Sequence, residues 1–381
     1  MNSDVPPMDE PILSLRKKIN AAKNKLDRFE KGGIFSKFMA VIDLYQPCKN
    51  IIRKEFDGQI VTNAWMKMFE MLVFCEKHIQ NGDTLTAFHN AELPGAFISA
   101  TNHFIATKYP DMKYDWLASS YWPSSDNTAL EDQFCMYQNY KDRWLMSPES
   151  ELTSGDMTKK DTISYIAAKL RKIHPSGVDI YTSDAGMDID GDYDNQEEKT
   201  LRLNFGQIIC GLMCLKEGGT LITKQYTFFQ GFTRSLIIAM AKYFDKFYIA
   251  KPHTSRPTNS EIYLIGCRYR VVPIEILKEW LDLIGNKGIF APYDDLISTS
   301  LVDMNDHASK FSDKHIRSAM EKIYKHQQLP ALLKSIEIME KYKDEREFRK
   351  INMGKSREAI ISWLEYVGME PIPTFAKFDT C

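Results

Sequence analysis

Residues 90–104, "NAELPGAFISATNHF", end an apolar run with a Pro-Gly turn and restart at once in helix-forming residues. A glycine between a strand and a helix lets the backbone approach a ligand, and the helix N-terminus behind it offers unpaired N–H donors. Pro-Gly is equally an ordinary turn. The stretch also lacks a GxGxxG run, which disfavours a dinucleotide pyrophosphate. What the turn does depends on what the rest of the chain places beside it.

Outward from the turn, strand-like and helix-like segments alternate from about residue 60 to 270. "TNAWMKMFEMLVFCEKHI" reads as a helix with Trp65, Phe69, Leu72 and Val73 on one side, and "LTAFHNA" as the strand entering the turn. A helix to about 107 follows, then the strand "YDWLASS" and the amphipathic helix "KKDTISYIAAKLRKIH". The short buried strand "VDIYTSD" precedes "EKTLRLNFGQIICGLMCL", a helix expected to close at Glu217-Gly218-Gly219. The strand "TLITKQYTF", a helix from about 232, the strand "KFYIAKP", the loop "HTSRPTNS" and the strand "EIYLIGCRY" complete the run. Helices between short apolar strands predict an α/β fold, a largely parallel sheet with helices on both faces. Such sheets bind ligands beyond the carboxyl ends of their strands.

The ends of the chain read differently. Residues 1–58 are a Pro-containing lead and a charged helix, "LRKKINAAKNKLDRFEKGG", stopped by Gly32-Gly33. Residues 273–381 are charged and helix-rich, and are expected to hold RNA or a partner subunit. Three parts follow: an N-terminal helical extension (1–58), a core domain (59–272) and a helical C-terminal region (273–381).

Hydrophobic residues make up 44% of the 381, a proportion suited to a packed core rather than a disordered chain. The 49 Lys+Arg against 51 Asp+Glu give a net charge of −2, so any RNA-binding surface must be a local patch. Seven scattered cysteines show no zinc spacing, and no metal is expected. Several lie in apolar stretches such as "QIICGLMCL" and read as reduced core thiols in a reducing compartment. With no apolar signal core and no run of about 20 apolar residues, a soluble intracellular protein, cytoplasmic or nuclear, is expected.

Three strand ends carry ionisable groups. Asp184 follows the buried strand "VDIYTS", where an aspartate can simply cap the next helix. Lys224 ends "GGTLITK", where burial is costly without a partner, although a lysine can also snorkel to water. Glu261 opens "EIYLIG", where local pairing is the plain alternative. Separately each has an ordinary explanation; one site explains all three.

In order and wording these stretches resemble the FtsJ-like family of S-adenosylmethionine-dependent ribose 2′-O-methyltransferases, particularly its eukaryotic and viral mRNA cap branch. "ELPGAF" is similar to the family's cofactor loop, "TSDAG" to its Asp-bearing strand end and "LITKQY" to its central lysine strand. "KPHTSRPTNSEIYLIG" matches its KP-x-x-SR-x-x-S-E-x-Y segment at fixed spacing, the most specific of the likenesses. The resemblance covers about 60–270 and implies a Rossmann-like methyltransferase sheet. It implies a catalytic tetrad of Lys67, Asp184, Lys224 and Glu261, with Lys67 taken from "NAWMKMFEM". S-adenosylmethionine is implied as cofactor, held by Glu92, Pro94, Gly95, Ala96 and Phe97, with Asp156 of "SGDMTK" near the adenine. The capped 5′ end of mRNA is the implied partner, met by Lys251, Ser255 and Arg256. Two positions depart from the pattern: His89 stands where the first strand often ends in an acid, and Ala96 where the loop usually has a second glycine. A methyltransferase of structured RNA and an inactive RNA-binding subunit are the alternatives. Retention of all four tetrad residues counts against the second.

Overall fold

The computed structural model describes residues 8–29, 34–79, 82–122, 132–147, 149–187, 192–285, 311–342 and 344–381. Helices α1 (Glu10–Asp27), α2 (Ile34–Ile42) and α3 (Cys48–Glu55) precede α4 (Asn63–Cys75), whose N-cap Thr62 accepts from Trp65 N. Gly32-Gly33, expected to stop the first helix, lie outside the described residues, and α1 already ends at Asp27. Strand β1 (Thr84–Asn90) leads through the Pro-Gly turn into α5 (Ala96–Lys108), and β2 (Lys113–Ser119) follows. After a short α6 (Met136–Asn139) come α7 (Lys160–Ile173), β3 (Val178–Ser183), α8 (Gln196–Cys214) and β4 (Leu215–Gln225). Then follow α9 (Gly231–Ala241), β5 (Phe244–Ala250), β6 (Ile262–Tyr269) and α10 (Ile274–Gly285). In the tail, α11 (Asp313–Met320) runs through a π-helical stretch, Glu321–Gln328, into α12 (Leu329–Lys341), and α13 (Glu345–Val367) comes last.

The six strands form one sheet in the order β2-β1-β3-β4-β6-β5. β1 to β4 pair in parallel, whereas β6 runs antiparallel between β4 and β5. This strand matters for the site. An antiparallel strand begins at the edge where its parallel neighbours end, so Lys224 faces Tyr263 and Gln225 faces Ile262. The residue just before β6 therefore lands beside the ends of β3 and β4.

One local expectation is corrected. Helix α8 stops at Cys214 without glycine, because Leu215 is already extended (φ −68°, ψ 142°) and pairs with Val178. Glu217-Gly218-Gly219 forms the irregular start of β4, and a register shift between Val178 and Ile180 absorbs it.

Side chains alternate between two hydrophobic cores with the period of two that a strand imposes. Phe88, Tyr181, Leu221 and Leu264 face a core shared with α1, α7, α8, α10 and α12. Ala87, Ile180, Ile222 and Tyr263 face a second core shared with α3, α4, α5 and α13. The helical ends thus pack into the cores of the sheet itself: α1 contributes buried Ile12, Ile19 and Leu26, and α13 contributes Ile360, Trp363 and Val367.

Five cysteines, Cys48, Cys75, Cys210, Cys214 and Cys267, are buried free thiols as expected, but Cys135 and Cys381 form a disulfide. The expectation of reduced core thiols in a reducing compartment, drawn from the several cysteines in apolar stretches, does not extend to this pair. No spacing signalled the pair, since 246 residues separate them. Docking of the C-terminal segment brings them together, with Phe378 packed edge-on against Trp116 and Tyr140.

Candidate active site

Four elements converge on one edge of the sheet. Lys67 rises from the middle of α4, Asp184 follows β3, Lys224 ends β4, and Glu261 immediately precedes β6. Lys67 Nζ donates to both carboxylate oxygens of Glu261 at 3.0 Å. Lys224 Nζ donates to the Asp184 carbonyl at 2.8 Å and lies 3.3 Å from its Oδ1. All four predicted residues are thus brought together as two ion pairs with little exposure.

Sequence reasoning assigned no role to Tyr263. Its hydroxyl donates to Asp184 Oδ1 at 2.7 Å, and its ring lies 5.5 Å from Lys67 Nζ. The period of two could have signalled it, because Tyr263 lies two residues after Glu261 on one face of β6.

The charges interlock. Burial alone would depress the Lys224 pKa, but the Asp184 charge, helped by Tyr226 and Glu261, holds it above the usual lysine range. Glu261 shows the mirror case: burial pushes its pKa up, and Lys67, Lys224 and Lys251 bring it below the usual carboxylate range. Lys67, a neighbouring cation, has its charge balanced by the bidentate bond with Glu261, and the carboxylates decide the direction at Lys224.

Beside the tetrad a cavity of about 490 Å³ is lined by Glu92, Pro94, Ala96, Phe97 and Asp184, among others. Glu92 is already engaged: its Oε1 accepts from Ile98 N at 2.9 Å and caps α5, and burial holds its pKa well above the carboxylate range. Gly95 sits at φ +110°, where a Cβ would lie 2.8 Å from Met136 Cγ and 3.3 Å from Ile60 Cδ1. Turn geometry and the packing of α6 therefore demand glycine here. Asp156 lies where "SGDMTK" meets the carboxyl end of β2, since a Cβ on Gly155 would collide with Ser120 O. Its Oδ1 accepts from Thr158 N and Oγ1 at 2.8 and 2.7 Å. His89 bridges Thr182 Oγ1 and Tyr114 OH, and burial pushes its pKa down to about 3, so a neutral ring replaces the acid common at this position.

Two atoms at the strand ends bear on a cofactor. Asn90 Oδ1 and Ser119 Oγ, on the last residues of β1 and β2, are buried with no protein hydrogen-bond partner. A buried polar atom without a partner is costly. Paired side by side at the carboxyl ends of adjacent parallel strands, they suit a polar ligand, and the residues present fit the nucleoside of S-adenosylmethionine.

The FtsJ-like methyltransferase model matches residues 60–269, from just before α4 to the end of β6. The chain belongs to the FtsJ-like methyltransferase family. It is 42% identical over 231 residues to "Probable methyltransferase EP424R" of African swine fever virus, covering 59% of this chain and 53% of that one. It is 28% identical over 270 residues to the Drosophila melanogaster protein named cap-specific mRNA (nucleoside-2'-O-)-methyltransferase 2, covering 68% and 37%. The Mus musculus protein of that name is 26% identical over 271 residues, covering 68% and 34%. The chain spans about half the length of its viral relative and about a third of these animal ones.

The FtsJ-like segment 251–261 is more structural than its sequence suggested. Lys251 Nζ donates to the carbonyls of Asn259 (2.6 Å) and Glu261 (2.9 Å), and burial pushes its pKa down to about 7. Ser255 Oγ donates to Glu261 Oε1 at 2.8 Å. Of the three residues expected to meet RNA, Arg256, 3.4 Å from Asp43, is partly exposed and lines a cavity of about 360 Å³ that also reaches Tyr226 and Glu261, whereas Lys251 lines a different cavity, of about 400 Å³.

Glu70, one turn after Lys67 on α4, escaped sequence reasoning altogether. Its Oε1 accepts from His253 N (2.7 Å) and Nδ1 (2.8 Å). Its Oε2 accepts from Thr254 N (3.2 Å), Thr254 Oγ1 (3.0 Å) and Trp363 Nε1 of α13 (3.1 Å). One carboxylate thus ties α4, the loop leading to Glu261 and the tail together. Among the described residues no group of three or more His, Cys, Asp and Glu is placed to hold a metal. No described helix is long and apolar enough to cross a membrane.

Proposed function

We propose that the chain transfers a methyl group from S-adenosylmethionine to a ribose 2′-hydroxyl near the 5′ cap of mRNA, through the tetrad Lys67, Asp184, Lys224 and Glu261. One observation carries the reading above the others: an ammonium, Lys224, held by Asp184 at the sheet edge beside the strand-end cavity. The activity named for the Drosophila and mouse relatives supports the choice of acceptor. When bound, S-adenosylmethionine supplies an activated methyl group. Pro94, Ala96 and Phe97 would wall it in, and Asn90 and Ser119 would meet its polar groups.

The chain's own task is to position the acceptor and stabilise it as it loses its proton. With its pKa raised, Lys224 is an ammonium at neutral pH, so the proton released by the hydroxyl passes to solvent water rather than to Lys224. Its contribution is to hold the hydroxyl and stabilise negative charge as it develops on oxygen, in a site already organised before reaction. Asp184 fixes that ammonium and is itself fixed by Tyr263; Glu261 and Lys67 make the neighbouring pair.

The test is transfer of labelled methyl from S-adenosylmethionine to matched short RNAs: m7GpppN-capped, uncapped, and capped with the first or second ribose already 2′-O-methylated. Cap-dependent incorporation abolished by one prior methyl is the expected result; equal incorporation into all RNAs would overturn the cap assignment. Lys224→Ala should lower turnover about 10²–10³-fold with cofactor affinity retained. Undiminished turnover in that variant would remove Lys224 from the chemistry.

A further inference from the structure

A groove of about 950 Å³ runs between α3 and α13, entirely outside the residues that match the family. Lys49 and Arg53 of α3 line one wall, and Arg349 and Arg357 of α13 line the other. Each wall repeats its cations at helical spacing: 49 and 53 are four apart, and 349, Met353 and 357 succeed one another at intervals of four. Like charges so placed on one helix face repel and destabilise it unless something of opposite sign lies between them. Two carboxylates line the groove, Asp43, whose charge reaches Lys49, and the exposed Glu55 of α3. Lys49, Arg349 and Arg357 make no ion pair among the described residues, and Asp43, the buried carboxylate of the groove, is 3.4 Å from Arg256. Arg53 donates to Asn50 Oδ1 and the Val61 carbonyl, both uncharged.

The groove also has an apolar side. Ile51, Met353 and Ile361 line it, and Met353 and Ile361 are 69% and 46% exposed. Rows of cations alternating with exposed apolar side chains suit a single-stranded nucleic acid, whose phosphates meet the first and whose bases rest on the second. The groove's position points the same way. Lys49 and Arg53 line both this groove and the cavity that holds Asp184, Pro94 and Phe97, so the two spaces adjoin at these two side chains.

We propose that this groove is a sequence-independent site for the RNA chain that continues beyond the methylated nucleotide, held by phosphate contacts to Lys49, Arg53, Arg349 and Arg357. It rests on the reading that the acceptor is RNA. It also gives the overall charge of −2 its local exception, a basic track on a nearly neutral protein.

The experiment measures binding of a fluorescent single-stranded RNA by anisotropy across a salt series, using the full chain. Arg349→Ala/Arg357→Ala is compared with the parent and with Lys314→Ala/Lys334→Ala, which removes equal charge from exposed positions of α11 and α12 away from the groove. Both double variants should melt like the parent, since all four side chains are exposed. The groove variant should bind roughly tenfold more weakly, and its log–log salt slope should be shallower by about 1.4, because two fewer phosphates of a single strand are neutralised. The control should follow the parent. Equal effects of the two double variants, or an unchanged slope in the groove variant, would overturn the proposal. Methyl transfer is read separately: an inactive parent that still binds RNA through the groove would refute the proposed reaction and leave the groove standing.

Discussion

Removing the Glu70 carboxylate tests whether the tail is part of the catalytic frame. In Glu70→Ala, five donors lose their acceptor. The His253 ring, 71% exposed, can turn to water, but Thr254 N, Thr254 Oγ1 and Trp363 Nε1 belong to residues 2% and 3% exposed. A buried donor left unpaired costs about 1–3 kcal/mol, and water entering the vacated space offsets part of it. The expected loss of stability is about 3–5 kcal/mol, the range for breaking a buried charged network. Glu70→Gln keeps the shape and one carbonyl oxygen, which can serve the Thr254 and Trp363 donors, so about 2 kcal/mol is expected. Trp363→Phe removes a single donor and should cost about 1 kcal/mol. Urea unfolding of the three variants gives the order directly. Turnover measured where each variant is fully folded should fall most in Glu70→Ala, because the loop carrying Ser255 and leading to Glu261 loses its anchor on α4. Glu70→Ala within 1 kcal/mol of the parent, or less damaging than Trp363→Phe, would refute the reasoning.

Three further outcomes follow from the same geometry. Gly95→Ala places a Cβ at φ +110° and 2.8 Å from Met136, so a loss of about 2–4 kcal/mol from backbone strain and overpacking is expected in urea unfolding; a change under 0.5 kcal/mol would contradict the packing described. Tyr263→Phe removes the hydroxyl that fixes Asp184, and kcat should drop about tenfold with cofactor Kd unchanged, whereas an equal loss of cofactor binding would place Tyr263 elsewhere in the reaction. Lys251 carries a pH signature. Its pKa is about 7 in the folded chain against about 10.4 unfolded, so between these values the unfolded state binds more protons and stability rises with pH. The destabilising effect of its charge is complete below pH 7 and disappears as pH approaches 10. Lys251→Met should flatten that rise in thermal melts at pH 7 and 9.5, and identical slopes would show that Lys251 titrates normally.

The chain alone determined the elements and their approximate ends, because burial on a strand or helix imposes periods of two or 3.6 that a single sequence displays. Asp184, Lys224 and Glu261 stood out in it as charged residues at the ends of apolar strands, which one shared site would explain, whereas Lys67 was proposed only from the likeness to the FtsJ-like family. Partnership across distance was decided only by the fold. The antiparallel course of β6 delivers Glu261 to the edge where Asp184 and Lys224 lie, and nothing within "EIYLIGCRY" reports its direction. Glu70 reads as one more polar residue of α4 until Trp363 and the 253–254 backbone close on it from 293 and 183–184 residues away. Lys251 and Ser255, expected to meet RNA, also brace their own loop, which composition does not reveal because it does not say whether water or a carbonyl faces a side chain. The Cys135–Cys381 bond and the groove between α3 and α13 belong to the same class. Local periodicity reaches only a few residues along the chain, while each of these features depends on which distant segments the two hydrophobic cores draw together.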